Sequence, residues 1–297
     1  GAAPQASARR DGGRVSRGEG AAAPAWVVGG RTAGQPVHDL GGKGGLPGWL
    51  VLEVACLGGV GSTWHLAALA AGASTVQVLP CERCLDRGSV AKELDFTRRV
   101  LQALGDSDAS RRVGILPPGG RQLKRAVHAA NGLHAMGEGS DADPMPTSAG
   151  FQTSARVAAW AVGEIAGALT RPDKDERDER PRPPVIHGEG APLGILRASP
   201  GCTACGVCAR SCPTSALSLT AGPGSAALVL DPAACTGCAV CVQTCPEGVL
   251  DVVRGVDLEL LASLSSSVPL VPAAAFPDCR HHAPAPPATP LGLMRLT

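Results

Sequence analysis

Short apolar runs alternate with longer amphipathic stretches along the first half of the chain. Three runs rich in apolar or β-branched residues predict strands: Val51–Ala55, Thr75–Leu79 and Arg112–Leu116. Three longer stretches predict helices: Ser62–Ala71, Ser89–Leu104 and Phe151–Leu169. Strands that alternate with helices are typical of a parallel sheet. We therefore predict an α/β domain with a small parallel sheet over residues 26–170, in which Ser62 and Thr63 cap the first helix.

The pattern changes on either side of this domain. Residues 1–25 show no periodicity, and we expect them to be disordered. Residues 171–194 predict a linker, because ten of the fourteen residues from 171 to 184 are charged and four are proline. The cysteine-rich stretch 195–255 predicts a compact α+β module. Residues 256–297 predict a short helix and a loose Pro-rich tail.

Composition and charge narrow the classes of function. The formal net charge is +1, so the sequence lacks the concentrated basic surface expected of a general nucleic-acid binder. The sequence contains no apolar run of about 18 residues, and we expect no membrane-spanning helix. An export signal is not visible, so we expect a cytoplasmic protein whose cysteines are reduced.

Eight of the twelve cysteines form two copies of one motif. Each copy reads C-x2-C-x2-C-x3-C-P, and each cysteine of the first copy has a partner 33 residues later. The first copy contains Cys202, Cys205, Cys208 and Cys212, and the second contains Cys235, Cys238, Cys241 and Cys245. The repeat predicts two half-modules related by a pseudo-twofold axis.

This spacing is that of thiolate ligands to cubane [4Fe–4S] clusters, in which the fourth cysteine of each run binds the other cluster. We therefore predict two clusters with crossed ligand sets. One set is Cys202, Cys205, Cys208 and Cys245, and the other is Cys235, Cys238, Cys241 and Cys212. Zinc is the alternative, but a zinc site needs neither a third cysteine at the same spacing nor the Cys-Pro step.

The two motifs resemble the bacterial two-cluster ferredoxin family over about 60 residues and all eight ligand positions. The resemblance implies a ferredoxin-like fold and one-electron transfer at low potential. Free ferredoxins of this family are usually strongly acidic, whereas residues 200–254 contain two Arg, two Asp and one Glu. So little charge gives weak long-range steering. We expect a fixed electron-transfer component that works with redox partner subunits rather than a diffusing shuttle.

Three further cysteines lie in the α/β domain. Cys56 and Cys81 each follow a predicted strand, and Cys84 lies in the loop after the second of these strands. If the two strands are neighbours in a parallel sheet, their ends place Cys56 and Cys81 roughly 5–10 Å apart. Open α/β sheets bind ligands at this edge.

The surrounding stretches, Val54–Ser62 and Ala70–Cys81, resemble the hydrogenase iron–sulfur (delta) subunit family over about 60 residues. That resemblance implies a [2Fe–2S] cluster with Cys56, Cys81 and Cys84 as ligands, whose fourth thiolate would come from Cys279 or a partner. It also implies partners of the hydrogenase, formate dehydrogenase or heterodisulfide-reductase type. A redox-active thiol pair, a zinc site or inert buried thiols are the alternatives at these cysteines.

These patterns together predict an iron–sulfur electron-transfer subunit of an oxidoreductase complex, with catalysis elsewhere. One alternative is an oxidoreductase with its own thiol or metal site at Cys56, Cys81 and Cys84. Another is a redox-sensing interaction protein. The glycine-rich turn Gly59–Trp64 could cradle a phosphate, but it lacks a complete nucleotide-binding motif, and tight strand–helix packing is the favoured interpretation.

Overall fold

The structure is a computed structural model of the chain. It describes residues 25–30, 48–81, 83, 88–117, 120–130, 133, 154–169, 185–222, 225–262 and 268–271. The disorder predicted for residues 1–24, the charged segment 170–184 and the tail beyond residue 271 lie outside the described residues. Within the described ranges, no helix combines the length and the hydropathy that a membrane crossing requires.

Four parallel strands form the sheet of the first domain, in the order β2-β1-β3-β4. Their bounds are β1 Ala25–Gly30, β2 Trp49–Val54, β3 Thr75–Leu79 and β4 Val113–Ile115. All five residues of β3 are buried, as expected for an inner strand of a parallel sheet covered on both faces. The predicted α/β domain with a parallel sheet is therefore confirmed.

Five helices of the described chain accompany this sheet: α1 Ser62–Ala70, α2 Ser89–Ala103, α3 Ala109–Arg112, α4 Gly120–Ala130 and α5 Ser154–Leu169. α1 packs against α5 and α2, and their apolar side chains form the main core with one face of the sheet. α4 covers the opposite side, where Leu123 and Val127 cluster with Val27 and Leu79. Both faces of the sheet are thus buried.

Strand β1 is the main element that the sequence analysis missed. Its apolar run, Trp26-Val-Val, is only three residues long and is followed at once by two glycines, so its pattern is weak. In the structure β1 lies between β2 and β3. The prediction of disorder up to residue 25 is also wrong by one residue, because Ala25 begins this strand.

The start of α1 differs from the predicted cap. The N-cap residue is Gly61, which has no side chain to cap the helix, and neither Ser62 nor Thr63 takes that position. The Ser62 hydroxyl instead donates a 2.6 Å hydrogen bond to the Gly190 carbonyl, and the Ser62 N–H donates to Glu93 Oε2 at 2.7 Å. The Ser62 hydroxyl therefore contacts the second half of the chain, whereas the Glu93 side chain of α2 accepts the N–H at the start of α1.

The second half contains six strands and three short helices in the described residues. The strands are β5 Val185–His187, β6 Gly194–Ala198, β7 Leu217–Gly222, β8 Ser225–Leu230, β9 Leu250–Asp257 and β10 Val268–Val271. The helices are α6 Val207–Ser211, α7 Val240–Thr244 and α8 Leu258–Ala262. β9 lies between β5 and β6, and β8 lies between β7 and β10, all in antiparallel pairs.

Two boundaries differ from the sequence prediction. β5 falls within residues 171–194, the range predicted as a linker, because Val185 and Ile186 are apolar and Ile186 is buried against the core. β10 falls where a loose tail was predicted, and it pairs with β8. The short helix predicted after residue 255 is present as α8.

The two halves share one hydrophobic core. Ile186, Leu193, Val256, Leu258 and Leu261 from the second half belong to the same buried cluster as Leu66 and Phe96. Polar contacts surround this core: Lys92 pairs with Glu189, and Arg99 Nη1 donates to the His187 carbonyl at 2.6 Å. Arg156 on α5 pairs with Asp231 at 2.6 Å. The cysteine-rich half is therefore packed directly onto the α/β domain.

We expect Gly190→Val to weaken this packing. A Cβ at Gly190 would lie 2.8 Å from the Lys92 carbonyl oxygen, so the backbone of α2 or of the 188–191 turn must shift. The expected loss in the free energy of unfolding is about 1–3 kcal/mol, measured by denaturant titration. Gly167→Ala in α5 is the matched control, because a Cβ there meets open space; it should raise stability by roughly 0.5–1 kcal/mol. Equal effects of the two substitutions would contradict the packing argument.

Buried His65 should make the fold sensitive to acid. Burial, with the charge of Arg98 as a smaller cause, lowers the pKa of His65 from 6.5 to about 4, and its Nε2 has no hydrogen-bond partner among the described residues. The unfolded chain then binds more protons below pH 6.5, so stability is full above that pH and falls towards pH 4, by on the order of 3 kcal/mol. Denaturant titrations at pH 7 and pH 4.5 should show a smaller loss for His65→Leu than for the native chain; identical losses would refute this role.

Candidate iron–sulfur centre

The two cysteine motifs fold into nearly identical loops. Two residues in each motif and one just after it adopt the left-handed backbone conformation. They form three pairs that are each 33 residues apart: Ala204 with Gly237, Gly206 with Ala239, and Ser215 with Gly248. Each pair combines one glycine with a residue that carries a Cβ, although that conformation costs a Cβ-bearing residue roughly 1–2 kcal/mol. The loop shape is thus retained at both sites despite the local strain.

A short helix begins directly after the left-handed residue Gly206 in the first loop and after Ala239 in the second, and each helix ends at the fourth cysteine of its motif. The C-cap residue of α6 is Cys212, with φ −72° and ψ 114°, and that of α7 is Cys245, with φ −73° and ψ 113°. The extended backbone at both cysteines is the conformation that a following proline requires. α6 and α7 pack against each other, which places the two loops side by side.

The first cysteine cavity is lined by Cys202, Cys205, Cys208 and Cys245. Three of these thiols come from the first motif and one from the end of α7. Apolar side chains of Leu219, Leu228 and Leu250 line the rest of the cavity. This is the first of the two crossed sets that the motif spacing predicts.

The second cysteine cavity has the reciprocal composition, with Cys235, Cys238 and Cys241 from the second motif and Cys212 from the end of α6. Leu196, Leu217 and Val252 supply its apolar wall. Gly194 of β6 lies against this loop: its N–H donates to the Cys235 carbonyl at 2.9 Å, and a Cβ there would lie 3.1 Å from Cys235 Sγ. Any side chain at Gly194 would therefore intrude on the loop that surrounds the second cavity.

Burial follows the repeat at three of the four pairs of equivalent cysteines; in the remaining pair, Cys202 is partly buried and Cys235 is buried. The central thiols Cys208 and Cys241 are buried in both cavities, whereas Cys205 and Cys238 are exposed. The side chains Cys212 and Cys245 are partly buried. Each cavity therefore has an interior side that faces the other motif and one cysteine at the protein surface.

Burial disfavours the thiolate form of three cysteines in the two cavities. Burial raises the pKa of Cys208 and Cys235, and it raises the pKa of Cys241 to about 11, with neighbouring thiols adding to the effect. Buried thiols with raised pKa values lose their protons when a metal centre neutralises the thiolate charge. Backbone N–H groups already point at these sulfurs, including those of Ala209, Gly237 and Val242.

The pKa of Cys212 shifts in the opposite direction to those of Cys208, Cys235 and Cys241. Burial opposes its ionisation, but hydrogen bonds from the Thr214 hydroxyl and from three backbone N–H groups outweigh burial and lower its pKa. The backbone donors are Leu217, Thr214 and Ala216. Hydrogen bonds of this kind stabilise a thiolate and tune the potential of a centre that the thiolate holds.

This donor set fits a polynuclear cluster better than a zinc ion. Four thiols line each cavity, three of them from one motif and the fourth from the other. A zinc ion draws its four ligands to about 2.3 Å from a single centre. A cubane instead binds one thiolate at each of its four irons and so accepts thiols spread around a cavity. None of the ten cysteines that the structure describes is paired in a disulfide.

Cys56 and Cys81 follow strands that are not neighbours in the sheet, so the ends of these strands lie at the upper limit of the expected separation of roughly 5–10 Å. Because β1 lies between β2 and β3, the ends of the two cysteine-bearing strands are separated by two inter-strand steps, or roughly 10 Å. Cys56 is exposed and accepts a 3.4 Å hydrogen bond from the Gly58 N–H, whereas Cys81 packs against the core. Cys84 and Cys279 lie outside the described residues.

The turn Gly59–Trp64 already binds a carboxylate of the protein itself. The Glu93 carboxylate accepts the Ser62 N–H at the start of α1, where a phosphate would otherwise bind. A Cβ at Gly61 would lie 3.2 Å from Glu93 Oε2, so this glycine allows the carboxylate to approach. The favoured interpretation, tight packing at this turn, agrees with these contacts.

A comparison with protein families decides the character of the cysteine-rich half. Residues 201–249 match the family described as a 4Fe-4S dicluster domain. This segment is thus an iron–sulfur, ferredoxin-like domain that binds [4Fe–4S] clusters through the cysteine region 202–245, and it indicates electron transfer. No curated protein is significantly similar to the chain. The resemblance of the first domain to the hydrogenase delta subunit family receives no support from either comparison.

Reciprocal exchange of two equivalent loop residues should test the strain in the iron–sulfur loops. Ala239→Gly removes a Cβ at φ 64°, and Gly206→Ala adds one at φ 73°, within 3.0 Å of Arg210 Nη1. We expect Ala239→Gly to stabilise the folded protein by about 1 kcal/mol and Gly206→Ala to destabilise it by at least as much. Denaturant midpoints of the anaerobic protein give the comparison. Shifts of the same sign would contradict a left-handed requirement at both positions.

Proposed function

We propose that this protein relays single electrons through two [4Fe–4S] clusters held between its two cysteine motifs. One cluster would be held by the thiols of the first cysteine cavity and the other by those of the second. The observation that carries the proposal is the reciprocal lining of the two cavities, each with three cysteines from one motif and the fourth from the other. Bound [4Fe–4S] clusters supply one-electron chemistry at potentials that the surrounding protein tunes.

The two helices of the motifs place the proposed sites close together. α6 carries Cys208 at the first cavity and ends at Cys212, which lines the second. α7 carries Cys241 at the second cavity and ends at Cys245, which lines the first. Four helical residues advance about 6 Å, so the backbone anchors of the two sites are separated by about that distance along each helix. Such short separations favour rapid electron transfer from one site to the other.

Electrons would enter and leave at the surface cysteines. Cys205 and Cys238 are the exposed members of the two cavities, so a redox partner can approach each site there. The surrounding segment has little net charge, with two Arg against two Asp and one Glu in residues 200–254. Weak steering and the packing of this half onto the α/β domain both favour a fixed subunit over a freely diffusing carrier.

We therefore propose that the chain serves as an electron-transfer subunit of an oxidoreductase complex, with the hydrogenase, formate dehydrogenase or heterodisulfide-reductase type as its partner class. Catalysis would then belong to the partner. An active site at Cys56, Cys81 and Cys84 receives less support, because β1 separates the two of these thiols that the structure describes. The redox-sensor alternative stays a prediction, which a change in partner affinity on exposure to oxygen would test.

Iron and acid-labile sulfide in anaerobically purified protein test the cluster content. Two cubanes require about eight iron ions and eight sulfides per chain. About ten iron ions would add the [2Fe–2S] cluster in the first domain, and Cys56→Ser should then remove the additional two. A colourless protein that contains zinc would refute the proposal.

Paired substitutions test the crossed ligand sets. In the crossed arrangement, Cys208→Ser with Cys245→Ser damages one site and should leave about half of the iron, whereas Cys241→Ser with Cys245→Ser damages both sites. Uncrossed sites reverse this result, because Cys241 and Cys245 would then belong to one cluster. The two double variants carry the same number and type of substitutions, so each serves as the control for the other.

A further inference from the structure

A cleft of about 790 Å³ lies where the two halves of the chain meet, separate from both cysteine cavities. The α/β domain contributes Trp26, Trp64 and Ala67, and the second half contributes Pro192 and Arg254. A cleft of this volume suits a small organic molecule. The proposed function gives this cleft no role.

Two aromatic side chains distinguish the cleft in a chain that is poor in them. The whole sequence contains four Trp, three Phe and no Tyr, and two of these seven aromatic residues line this one cleft. Trp64 is 47% exposed, although neighbouring positions of α1 such as Leu66 and Leu69 are fully buried. An indole ring held open to solvent on a well-packed helix offers a flat apolar face on which a planar aromatic molecule can stack.

The cleft is also lined by one cationic side chain, Arg254, which a hydrogen bond to a neighbouring carbonyl orients. Glu93 lines the cleft, but its carboxylate accepts the Ser62 N–H. Arg254 Nη1 donates to the Ala191 carbonyl at 3.4 Å, which holds the guanidinium at the rim with further N–H donors available. An anionic substituent on the bound molecule would fit this rim.

A thin wall separates the cleft from the second cysteine cavity. Pro192 lines the cleft, and two residues later Gly194 contacts Cys235. Two residues of extended chain span at most about 7 Å. Arg254 forms the other part of this wall, since it lines the cleft and lies next to Gly237, which lines the second cavity. A Cβ added at Gly237 would be 3.4 Å from Arg254 Cγ. A molecule in the cleft would therefore lie within a short distance of a cluster held by Cys235.

We propose that this cleft binds a planar, anionic, two-electron aromatic carrier of the flavin or quinone class, which exchanges electrons with the clusters. The proposal rests on the proposed function, since the electrons come from the two clusters. The oxidised carrier takes up two electrons and two protons and becomes its dihydro form. Two reduced clusters each give one electron, an external one-electron donor having reduced them, and water supplies the protons.

Binding can be measured without any redox step, on the full chain, by quenching of tryptophan fluorescence. The probes are FMN and 1,4-naphthoquinone-2-sulfonate, with riboflavin and 1,4-naphthoquinone as their uncharged counterparts. We expect one of the charged probes to bind with a Kd below about 100 µM and its uncharged counterpart to bind about tenfold more weakly. The class that binds identifies the carrier. If neither charged probe binds, or if the uncharged probe binds equally well, the proposal is wrong.

Two substitutions locate the binding in the cleft. Trp64→Ala removes the exposed ring, and Ala67→Trp fills the cleft; each should weaken binding about tenfold or more. Leu50→Ala is the matched control, because Leu50 is a large apolar side chain, 44% exposed, that does not line the cleft. Retained binding in Ala67→Trp would overturn the proposal, as would equal weakening in Leu50→Ala.

The redox step has a separate readout. The protein is chemically reduced, freed of excess reductant and then mixed with the oxidised probe that binds. It should recover the visible absorbance of oxidised clusters and yield one reduced probe per two clusters. Ala67→Trp should slow this recovery while its iron content stays native. If the anaerobically purified protein contained no iron, the proposed function would be refuted, but the measured binding of the probe would still hold. Probe binding without electron transfer would overturn this inference alone.

Discussion

The structure depends on the exchange of one cysteine between two equivalent loops. Each motif supplies three thiols to its own cavity and sends the fourth, at the end of a five-residue helix, into the other. Neither cavity is complete without both motifs. Ligands that bind both cavities would therefore fasten the two halves of the module together, so cluster binding and folding of this region are coupled. Left-handed residues such as Ala204 and Ala239 are tolerated because the loops need that turn.

The α/β domain gives this module a fixed support. Strands β5 and β9 and helix α8 bury their apolar side chains in the core of the first domain, and Arg156 pairs with Asp231 just before the second motif. The same junction forms the cleft that contains Trp64. The proposed path for electrons would require such fixed separations, and a shared core provides them better than a flexible linker.

The sequence predicted the part of the molecule that is governed by local chemistry. Cysteine spacing carries its own geometric requirement, so it predicts eight ligand positions in crossed groups, and each cavity is lined by the four cysteines of one predicted group. The order of the strands could not be predicted in this way, because it depends on tertiary pairing. The short apolar run at Trp26 gave no sign that β1 would lie between β2 and β3. That single strand separates Cys56 from Cys81. The partners of Ser62, Glu93 and Gly190, likewise distant in the chain, could not be deduced from local pattern.

The most direct test of the crossed arrangement is EPR of the fully reduced, anaerobic protein with spin integration. Two clusters as close as α6 and α7 would hold them should interact magnetically. The account predicts about two spins per chain and a broadened spectrum that is not the sum of two isolated centres. A single spin per chain, or two sharp signals that add without interaction, would contradict it.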